Sequence, residues 1–422
     1  MGIGGIYLWR SVKKVLIITY YWPPAGGAGV QRWLKMSKYL PEYGVEPIIL
    51  TVDPEKGTYP QKDDSLVEEV RDDIRVYKTD SFEPLKFYGK IAGSQRVPYG
   101  GFSNKKGNSI LARFLRGNLF IPDARKGWNS FAFRKAVEII NDHSIGTVIT
   151  TGPPHSTHLI GLKLKKELGL KWVVDLRDPW TDIYYNKEMA RTPWAKNKDL
   201  SYEKAVLSGA DICITASEGF AELFNKKVER EYFVITNGFD DHSEESAEVP
   251  EPNQKLVISY TGTIAESYEP EVLLEVLKSL NRSFELRIAG GVSEKIRNTI
   301  GEFGLEESVQ YLGYLPHKSA LHEMKGADVL LLITPKVENA KGIIPGKLFE
   351  YLSTGNPILA IADDPDGDVT RILKENGAGR AFSRSNFKEI LHFLGSPFTK
   401  YDVPEKYHRR NLTGNLVKIL ER

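Results

Sequence analysis

The chain reads Pro345-Gly346-Lys347-Leu348-Phe349-Glu350-Tyr351-Leu352-Ser353-Thr354-Gly355-Asn356-Pro357 and continues into the apolar run Ile358–Ile361. Pro345 pre-sets φ for a first helical turn, and the apolar residues Leu348, Tyr351 and Leu352 follow at i, i+3 and i+4. Gly355 and Pro357 then stop the helix. The stretch therefore predicts a loop, a short helix and a buried strand.

The start of this helix carries groups that suit a phosphorylated ligand. A helix N-terminus reached through a Gly-containing loop gathers unpaired N–H groups and the positive end of the dipole, and Lys347 adds a full charge. Glu350 projects from the same turn, where its carboxylate can accept hydrogen bonds from both hydroxyls of a ribose. The alternative interpretation is an ordinary helix–strand unit with a surface glutamate.

Short apolar runs alternate with helical patterns along the chain, which is typical of parallel sheets covered on both faces. The predicted strands are Val15–Thr19, Pro47–Thr51, Thr147–Thr150, Trp172–Asp175, Ile212–Thr215, Leu256–Tyr260, Glu285–Ala289, Val309–Tyr311, Val329–Ile333 and Ile358–Ile361. The predicted helices are Val30–Leu40, Phe131–Asn141, Ser156–Leu168 and Lys198–Leu207, with two more around Leu391 and Leu416.

The length of 422 residues is too great for one hydrophobic core and predicts two α/β domains. We place a first Rossmann-like domain at 1–238, an acidic linker at 239–255 and a second Rossmann-like domain at 256–385. The C-terminal helices at 386–422 could cross back to the first domain.

The composition is that of a soluble globular protein, with 41% apolar and 27% charged residues. A net charge of +2 gives no general argument for nucleic acid as a partner. The single Cys213 can form no intrachain disulfide, which predicts a reducing, cytoplasmic location. No run of about 18 apolar residues is present, so no helix is expected to span a bilayer.

Three loops of the first domain follow predicted strands and carry candidate functional groups. Gly26 and Gly27 let the backbone approach a ligand closely, with a plain tight turn as the alternative. A rigid Pro-Pro turn holds His155 at the mouth of the sheet, where a neutral imidazole can donate one hydrogen bond and accept another. Arg177 and Asp178 follow the next strand, either as binding groups or within a structural ion pair of Arg177 with Asp175 or Asp178.

Two features of the second domain complete the candidate set. The strand at Leu256–Tyr260 runs into a small-residue turn that contains Gly262 and Thr263. The acidic cluster Asp363–Asp368 lacks the glycine position of a calcium loop, and Asp368 is interpreted as the N-cap of the next helix. We therefore predict no metal site.

The run Pro345–Leu359 resembles the donor-site motif of the family-four retaining glycosyltransferases. That family has the α/β GT-B fold, in which two Rossmann-like domains with parallel sheets face each other across a cleft. The Pro153–Ser156 turn, the Gly26-Gly27 loop and the Gly262-Thr263 turn resemble further segments of the family. The resemblance covers roughly Lys14 to Phe382.

The resemblance implies a retaining glycosyltransferase that moves a sugar from a nucleoside-diphosphate sugar to a hydroxyl acceptor on a saccharide or lipid, in cell-surface polysaccharide or glycolipid biosynthesis. The first domain would bind the acceptor and the second the nucleotide sugar, which is a substrate, so no cofactor and no nucleic acid are expected. Catalytic roles fall on His155, Gly27 and Lys347, and acceptor binding on Arg177 and Asp178. Donor binding falls on Gly26, Gly27, Gly262, Thr263, Pro345, Gly346, Lys347 and Glu350.

Two departures from the family pattern stand in the second domain. Of the family's two glutamates that flank seven residues, the second falls on Glu350, but the first position holds Gly342. Many relatives carry an Arg and a Lys after the donor loop, where this chain has Ala265–Glu269. A diphosphate leaving group needs compensating charge, for which Lys347, Lys341 and Arg32 are the candidates.

These departures keep two alternative functions open: a non-catalytic sugar-nucleotide-binding or scaffold subunit, and a GT-B sugar-nucleotide epimerase. A further hypothesis concerns the basic and aromatic stretch Lys86–Arg125. It is either a solvated loop or a docking surface for an anionic lipid headgroup or a lipid-linked acceptor. The second interpretation places the protein peripherally at the inner face of the membrane.

Overall fold

The computed structural model describes residues 13–83, 114, 117–241 and 255–422. These residues form two compact units. The first contains the described residues of Met1–Ala216, Ala221–Thr236 and Arg409–Arg422, and the second those of Ser217–Phe220 and Asn237–His408. Most of the predicted linker and most of the basic stretch Lys86–Arg125 lie outside the described residues.

The first unit is built on a seven-stranded parallel sheet in the order β3-β2-β1-β4-β5-β6-β7. Its strands are β1 Lys13–Ile18, β2 Val45–Val52, β3 Arg75–Thr79, β4 Thr147–Gly152, β5 Lys171–Leu176, β6 Ile212–Thr215 and β7 Phe233–Val234. Its helices are α1 Ala28–Tyr39, α2 Asn129–His143, α3 Ser156–Leu168, α4 Pro193–Gly209 and α12 Arg409–Leu420. The helix α5 Glu218–Asn225 begins in the second unit and ends in the first.

Both faces of this sheet are buried, which explains its continuous apolar runs. Val15 and Ile17 of β1 lie in one core with residues of α1 and α12, while Leu16 and Ile18 lie in another with residues of α2 and α3. The alternation of side chains along a strand places neighbouring residues on opposite faces, so a strand covered on both sides needs apolar residues at every position.

The second unit repeats the plan with a six-stranded parallel sheet in the order β10-β9-β8-β11-β12-β13. Its strands are β8 Leu256–Thr261, β9 Phe284–Ala289, β10 Val309–Gly313, β11 Val329–Ile333, β12 Ile358–Ile361 and β13 Gly379–Phe382. Its helices are α6 Glu271–Ser279, α7 Glu294–Glu302, α8 His317–Lys325, α9 Lys347–Leu352, α10 Asp368–Glu375 and α11 Phe387–Gly395. The prediction of α/β architecture with two parallel sheets is confirmed.

Each sheet has one point at which the strand order reverses. In the first sheet it lies between β1 and β4, and in the second between β8 and β11. The loops at the carboxyl ends of these neighbouring strands leave in opposite directions, which opens a crevice where ligands of α/β proteins bind. Most of the predicted site residues follow β1, β4, β8 and β11, so each unit places candidates at such a point.

Candidate functional site

In the first unit, the loop after β1 brings its two glycines to the start of α1. Gly27 has φ 95°, a left-handed conformation that favours glycine, and it precedes the first residue of the helix. The Gly26 N–H donates to the Gln61 carbonyl at 3.0 Å, and a methyl group added to Gly26 would lie 3.0 Å from Asp63 Cβ. The backbone therefore favours glycine at both positions, and Gly27 lies at the edge where α1 presents its free N–H groups.

Arg177 lies against this same turn. A methyl group added to Gly29 in the first turn of α1 would lie 2.3 Å from Arg177 Nη1, so the guanidinium packs directly on the helix backbone. Arg177 also pairs with Asp178 at 3.5 Å. The two acceptor-binding candidates are thus next to the glycine loop, although they come from a different strand.

Of the two ion pairs that the sequence offered for Arg177, the one with Asp178 is present, and Asp175 has other partners. Asp175 accepts from Arg32 at 2.8 Å, from the Trp33 indole at 2.7 Å and from the Thr151 hydroxyl at 2.8 Å. Burial would raise the pKa of Asp175, but Arg32 and these hydrogen bonds outweigh it and hold the pKa below its usual value. Arg32 is buried in this network, so its prediction as a counter-charge for a diphosphate is wrong.

His155 follows β4 and is almost fully buried. Its imidazole stacks on the Trp180 indole with 4.8 Å between ring centroids and 7° between planes. Neither ring nitrogen has a hydrogen-bond partner among the described residues. Burial, and then the neighbouring His158, lower the pKa of His155 well below its usual value, so the ring is neutral at physiological pH.

The helix that follows His155 is capped from elsewhere in the chain. The sequence also suggests Ser156 as the N-cap of this helix, but Ser156 is the first residue of α3 and His155 occupies the cap position. The Asp123 carboxylate accepts from the Ser156 N–H and from the Ser156 hydroxyl, each at 2.8 Å. Asp123 therefore supplies the N-terminal acceptor for α3 and fixes the chain next to His155.

In the second unit, the turn after β8 places Gly262 and Thr263 at the surface. Gly262 has φ 105°, and its N–H donates to the Ala289 carbonyl at the end of β9 at 2.7 Å. A methyl group added to Gly290 would lie 2.2 Å from the Gly262 carbonyl oxygen, so the two loops pack backbone against backbone. The Gly262-Thr263 turn is exposed, and it lies at the switch point, which is the point where the strand order of the sheet reverses.

Lys347, the first residue of α9, reaches this turn. Its ammonium lies 3.8 Å from the centroid of the Tyr260 ring, and a methyl group added to Gly262 would lie 2.9 Å from its Nζ. Burial lowers the pKa of Lys347 to about 7, and the nearby Glu350 carboxylate opposes that shift. The structure therefore brings Gly262, which follows β8, next to Lys347 and Glu350 of α9.

The helix α9 is held in place by its own tyrosine. The Tyr351 hydroxyl accepts from the Thr261 N–H at 2.9 Å and donates to the Leu331 carbonyl at 3.1 Å, which ties α9 to β8 and β11. The helix begins at Lys347 after the exposed Gly346, so Pro345 lies just before the first turn and not within it as predicted. Glu350 is partly exposed, and no hydrogen bond to its carboxylate is found among the described residues.

Gly342, at the position of the family's first glutamate, is packed under the start of α5. A methyl group added to Gly342 would lie 2.4 Å from Phe220 Cδ1 and 2.8 Å from the Phe220 amide nitrogen. The Ser217 hydroxyl donates to the Gly342 carbonyl at 2.8 Å. A glutamate side chain has no space here in the described structure, which gives the physical reason for the departure.

Three acidic residues of the second unit, Glu266, Glu269 and Asp368, have partners of their own. Glu266 pairs with Lys295 at 3.9 Å and Glu269 with Lys336 at 2.9 Å. Asp368 is the first residue of α10 and accepts from the Gly219 N–H at 2.8 Å, so its prediction as an N-cap is wrong. Among the described residues, no group of three or more His, Cys, Asp or Glu could hold a metal ion.

Sequence reasoning missed Asp123, Trp180 and Asp199. The Trp180 indole donates to the Asp199 carboxylate at 2.8 Å, and Asp199 lies in α4. Its partner could not be identified, because the contact joins two separate elements.

Comparisons with known proteins agree with this geometry. Residues 241–392 match the sequence model of a family described as glycosyl transferases group 1, which is less than half of the chain. No curated protein matches the chain. The chain is similar in structure to sucrose-phosphate synthase from Thermosynechococcus elongatus, with a TM-score of 0.61 and 14% identity over 97% of this chain and 98% of that one.

Two further solved structures are similar over nearly the whole length. One is Anabaena Alr3699/HepE in complex with UDP and glucose, with a TM-score of 0.61 and 13% identity over 97% of this chain and 99% of that one. The other is the lipopolysaccharide outer core galactosyltransferase WaaB, with a TM-score of 0.62 and 15% identity over the same shares. The chain has the GT-B fold. At these identities the likeness shows the fold alone, and the GT-B prediction is confirmed.

Proposed function

We propose that the protein is a glycosyltransferase that transfers a sugar from a nucleoside-diphosphate sugar to a hydroxyl acceptor. The observation that carries the proposal is the cluster of Lys347, Gly262 and Glu350 at the switch point of the second sheet. A cation beside an exposed glycine turn suits a diphosphate, and a carboxylate one helical turn away suits a ribose. The match of residues 241–392 to a glycosyltransferase family supports the same interpretation.

The proposed reaction requires no nucleophile from the protein. The bond between the anomeric carbon and the phosphate oxygen breaks, and the acceptor oxygen bonds to that carbon on the same face. The acceptor proton passes to the departing phosphate oxygen. Lys347 stabilises the charge on the diphosphate, and the neutral His155 hydrogen-bonds the reacting sugar. Retention of configuration rests on the family resemblance of the Pro345–Pro357 run.

The structural neighbour in complex with UDP and glucose supports a nucleoside diphosphate as the common part of the donor. A polysaccharide or glycolipid acceptor is proposed from the family resemblance, with Arg177 and Asp178 binding its hydroxyl or phosphate groups. A role for a metal is not proposed, so we expect transfer to persist in the presence of a chelator.

The test is release of nucleoside diphosphate from a panel of sugar nucleotides, with and without saccharide acceptors. Glu350→Gln should weaken nucleoside-diphosphate binding measured by calorimetry, because each hydrogen bond to a charged group contributes about 1.5–3 kcal/mol. Binding without release would favour the non-catalytic subunit. Conversion of the sugar without release would favour the epimerase.

Peripheral membrane contact is the remaining part of the proposal. None of the described helices has the length and apolar character needed to cross a bilayer. Large apolar side chains at Leu119 and Trp194 are 69% and 67% exposed, and Lys196 and Lys198 are exposed on the same helix as Trp194. Lys and Arg near an anionic surface contribute about 1 kcal/mol each, so sedimentation with anionic vesicles should decrease with salt.

A further inference from the structure

His155 must be held by something other than its own hydrogen bonds. Both ring nitrogens are buried and lack a partner among the described residues. A buried polar group without a partner is unfavourable, so the orientation of this imidazole is set by the side chains that pack against it. An external constraint on the plane of the imidazole is therefore required.

The constraint is the indole of Trp180. The two rings are nearly parallel, 7° apart, with centroids 4.8 Å from each other. Trp180 itself is 2% exposed, so its ring cannot move into solvent. The stack fixes the orientation in which His155 presents its nitrogens, because a rotated imidazole would lose contact with the indole face.

Trp180 is fixed in turn by ionic contacts from α4. Its indole N–H donates to Asp199 at 2.8 Å, and Asp199 forms a buried ion pair with Arg191. One helical turn later, Glu203 accepts from the hydroxyl of Thr181, the next residue after Trp180, and pairs with Lys227 at 2.8 Å. Two buried carboxylates of one helix thus hold two consecutive residues of the loop.

An indole can be buried by apolar contacts alone, so two ion pairs are not needed merely to pack Trp180. A buried ion pair often contributes little net stability compared with apolar residues of similar volume, and in some proteins such a pair specifies one geometry instead. Two of them directed at one loop indicate that the orientation of this loop matters to the molecule.

We propose that Trp180, anchored by Asp199, is a positioning residue that fixes the imidazole plane of His155 for hydrogen bonding to the reacting sugar. The proposal deepens the proposed function and rests on it. Trp180 does not touch the substrate, so its loss should reduce turnover and leave binding of the nucleotide intact.

The experiment compares Trp180→Leu and Trp180→Phe with Trp128→Leu as the matched control. Trp128 is a buried tryptophan of the same unit whose indole N–H also has a side-chain partner, Thr79 at 2.8 Å, on a different part of the sheet. Loss of either indole should destabilise the fold. We expect only Trp180→Leu to lower kcat, by about tenfold or more, with the Kd for nucleoside diphosphate unchanged. Trp180→Phe keeps an aromatic face and should recover most of the lost turnover.

A double variant separates positioning from general damage. In a His155→Ala background, Trp180→Leu should cause no further loss of kcat, because the ring that it positions is gone. Additive losses, or equal kcat losses in Trp180→Leu and Trp128→Leu, would overturn the proposal while the function stands. A wild-type protein that releases no nucleoside diphosphate from any donor would instead overturn the proposed function, and this inference with it.

Discussion

At the scale of single residues, Lys347 carries the electrostatics of the proposed donor site. Its ammonium lies over the Tyr260 ring and beside Gly262, and burial lowers its pKa to about 7. The family's usual basic pair is absent from the loop after β8. In the proposed site, Lys347 is the cation next to the exposed glycine turn, so we expect its protonation to be coupled to diphosphate binding.

We predict that nucleoside-diphosphate binding takes up a proton above pH 7. The ligand favours the ammonium form, so affinity should fall as pH rises through 7, by up to about tenfold per pH unit. Calorimetry at pH 8 in buffers of different ionisation enthalpy measures the uptake. Lys347→Met is the control, because it removes the titrating group and should bind weakly at every pH. A wild-type protein that binds without proton uptake would contradict the coupling of Lys347 protonation to binding, and wild-type affinity in Lys347→Met would exclude Lys347 from the phosphate site.

The second prediction concerns Gly342. Gly342→Ala should destabilise the protein by about 1–3 kcal/mol, because the added methyl group overlaps the Phe220 ring. Gly346→Ala is the matched control: no atom lies within 4 Å of its added methyl group, and its φ of −55° suits alanine. Denaturant unfolding of both variants measures the difference in stability. Equal midpoints would mean that the Phe220 ring moves without loss of stability.

The site residues divide into those that sequence could identify and those that it could not. Gly27 and Gly262 were predictable because glycines in the loops after parallel strands commonly mark turns that need a positive φ, and both adopt the left-handed conformation. Trp180 was not, because its significance lies in a stack with a residue from the neighbouring strand's loop. Arg32 was misassigned for the same reason, since its partner Asp175 is distant in sequence.

At the scale of elements, the strands buried on both faces were predicted, whereas three of the four edge strands were not; the fourth, β10, was predicted as Val309–Tyr311. The strand Val329–Ile333 was predicted with its observed bounds, because every residue is apolar. The missed strands β3, β7 and β13 lie at sheet edges and are only partly buried. Their partly exposed positions tolerate polar residues, so no long apolar run marks them.

The cap of α3 gives a prediction at this scale. Asp123→Ala should cost about 0.5–2 kcal/mol of stability, because the Ser156 N–H loses its acceptor at the start of the helix. It should also lower turnover, since His155 immediately precedes that residue. Asp123→Asn keeps an acceptor oxygen and should recover most of both losses in thermal unfolding and kinetic assays. If neither variant loses turnover, the contact of Asp123 with Ser156 does not influence His155.

At the scale of the whole molecule, the first unit is assembled from chain segments far apart in sequence. Residues 409–422 belong to it, and α12 packs against α1 through Leu412, Leu416 and Val417. The second unit contains α11 and extends to His408. The proposed ligands of the diphosphate and ribose, Lys347 and Glu350, lie in the second unit, so damage to α12 should leave them unaffected.

The final prediction follows from this division. Leu416 is 1% exposed, and Leu416→Ala should destabilise the first unit by about 2–5 kcal/mol through the cavity it leaves. Hydrogen exchange measured by mass spectrometry should show faster exchange in peptides of β1 and α1 and no change in those of β8 and α9. The exposed Lys418→Ala on the same helix is the control and should match the wild type. Equally faster exchange in both units would show that the two units unfold together. The stability of the second unit would then depend on α12, contrary to this prediction.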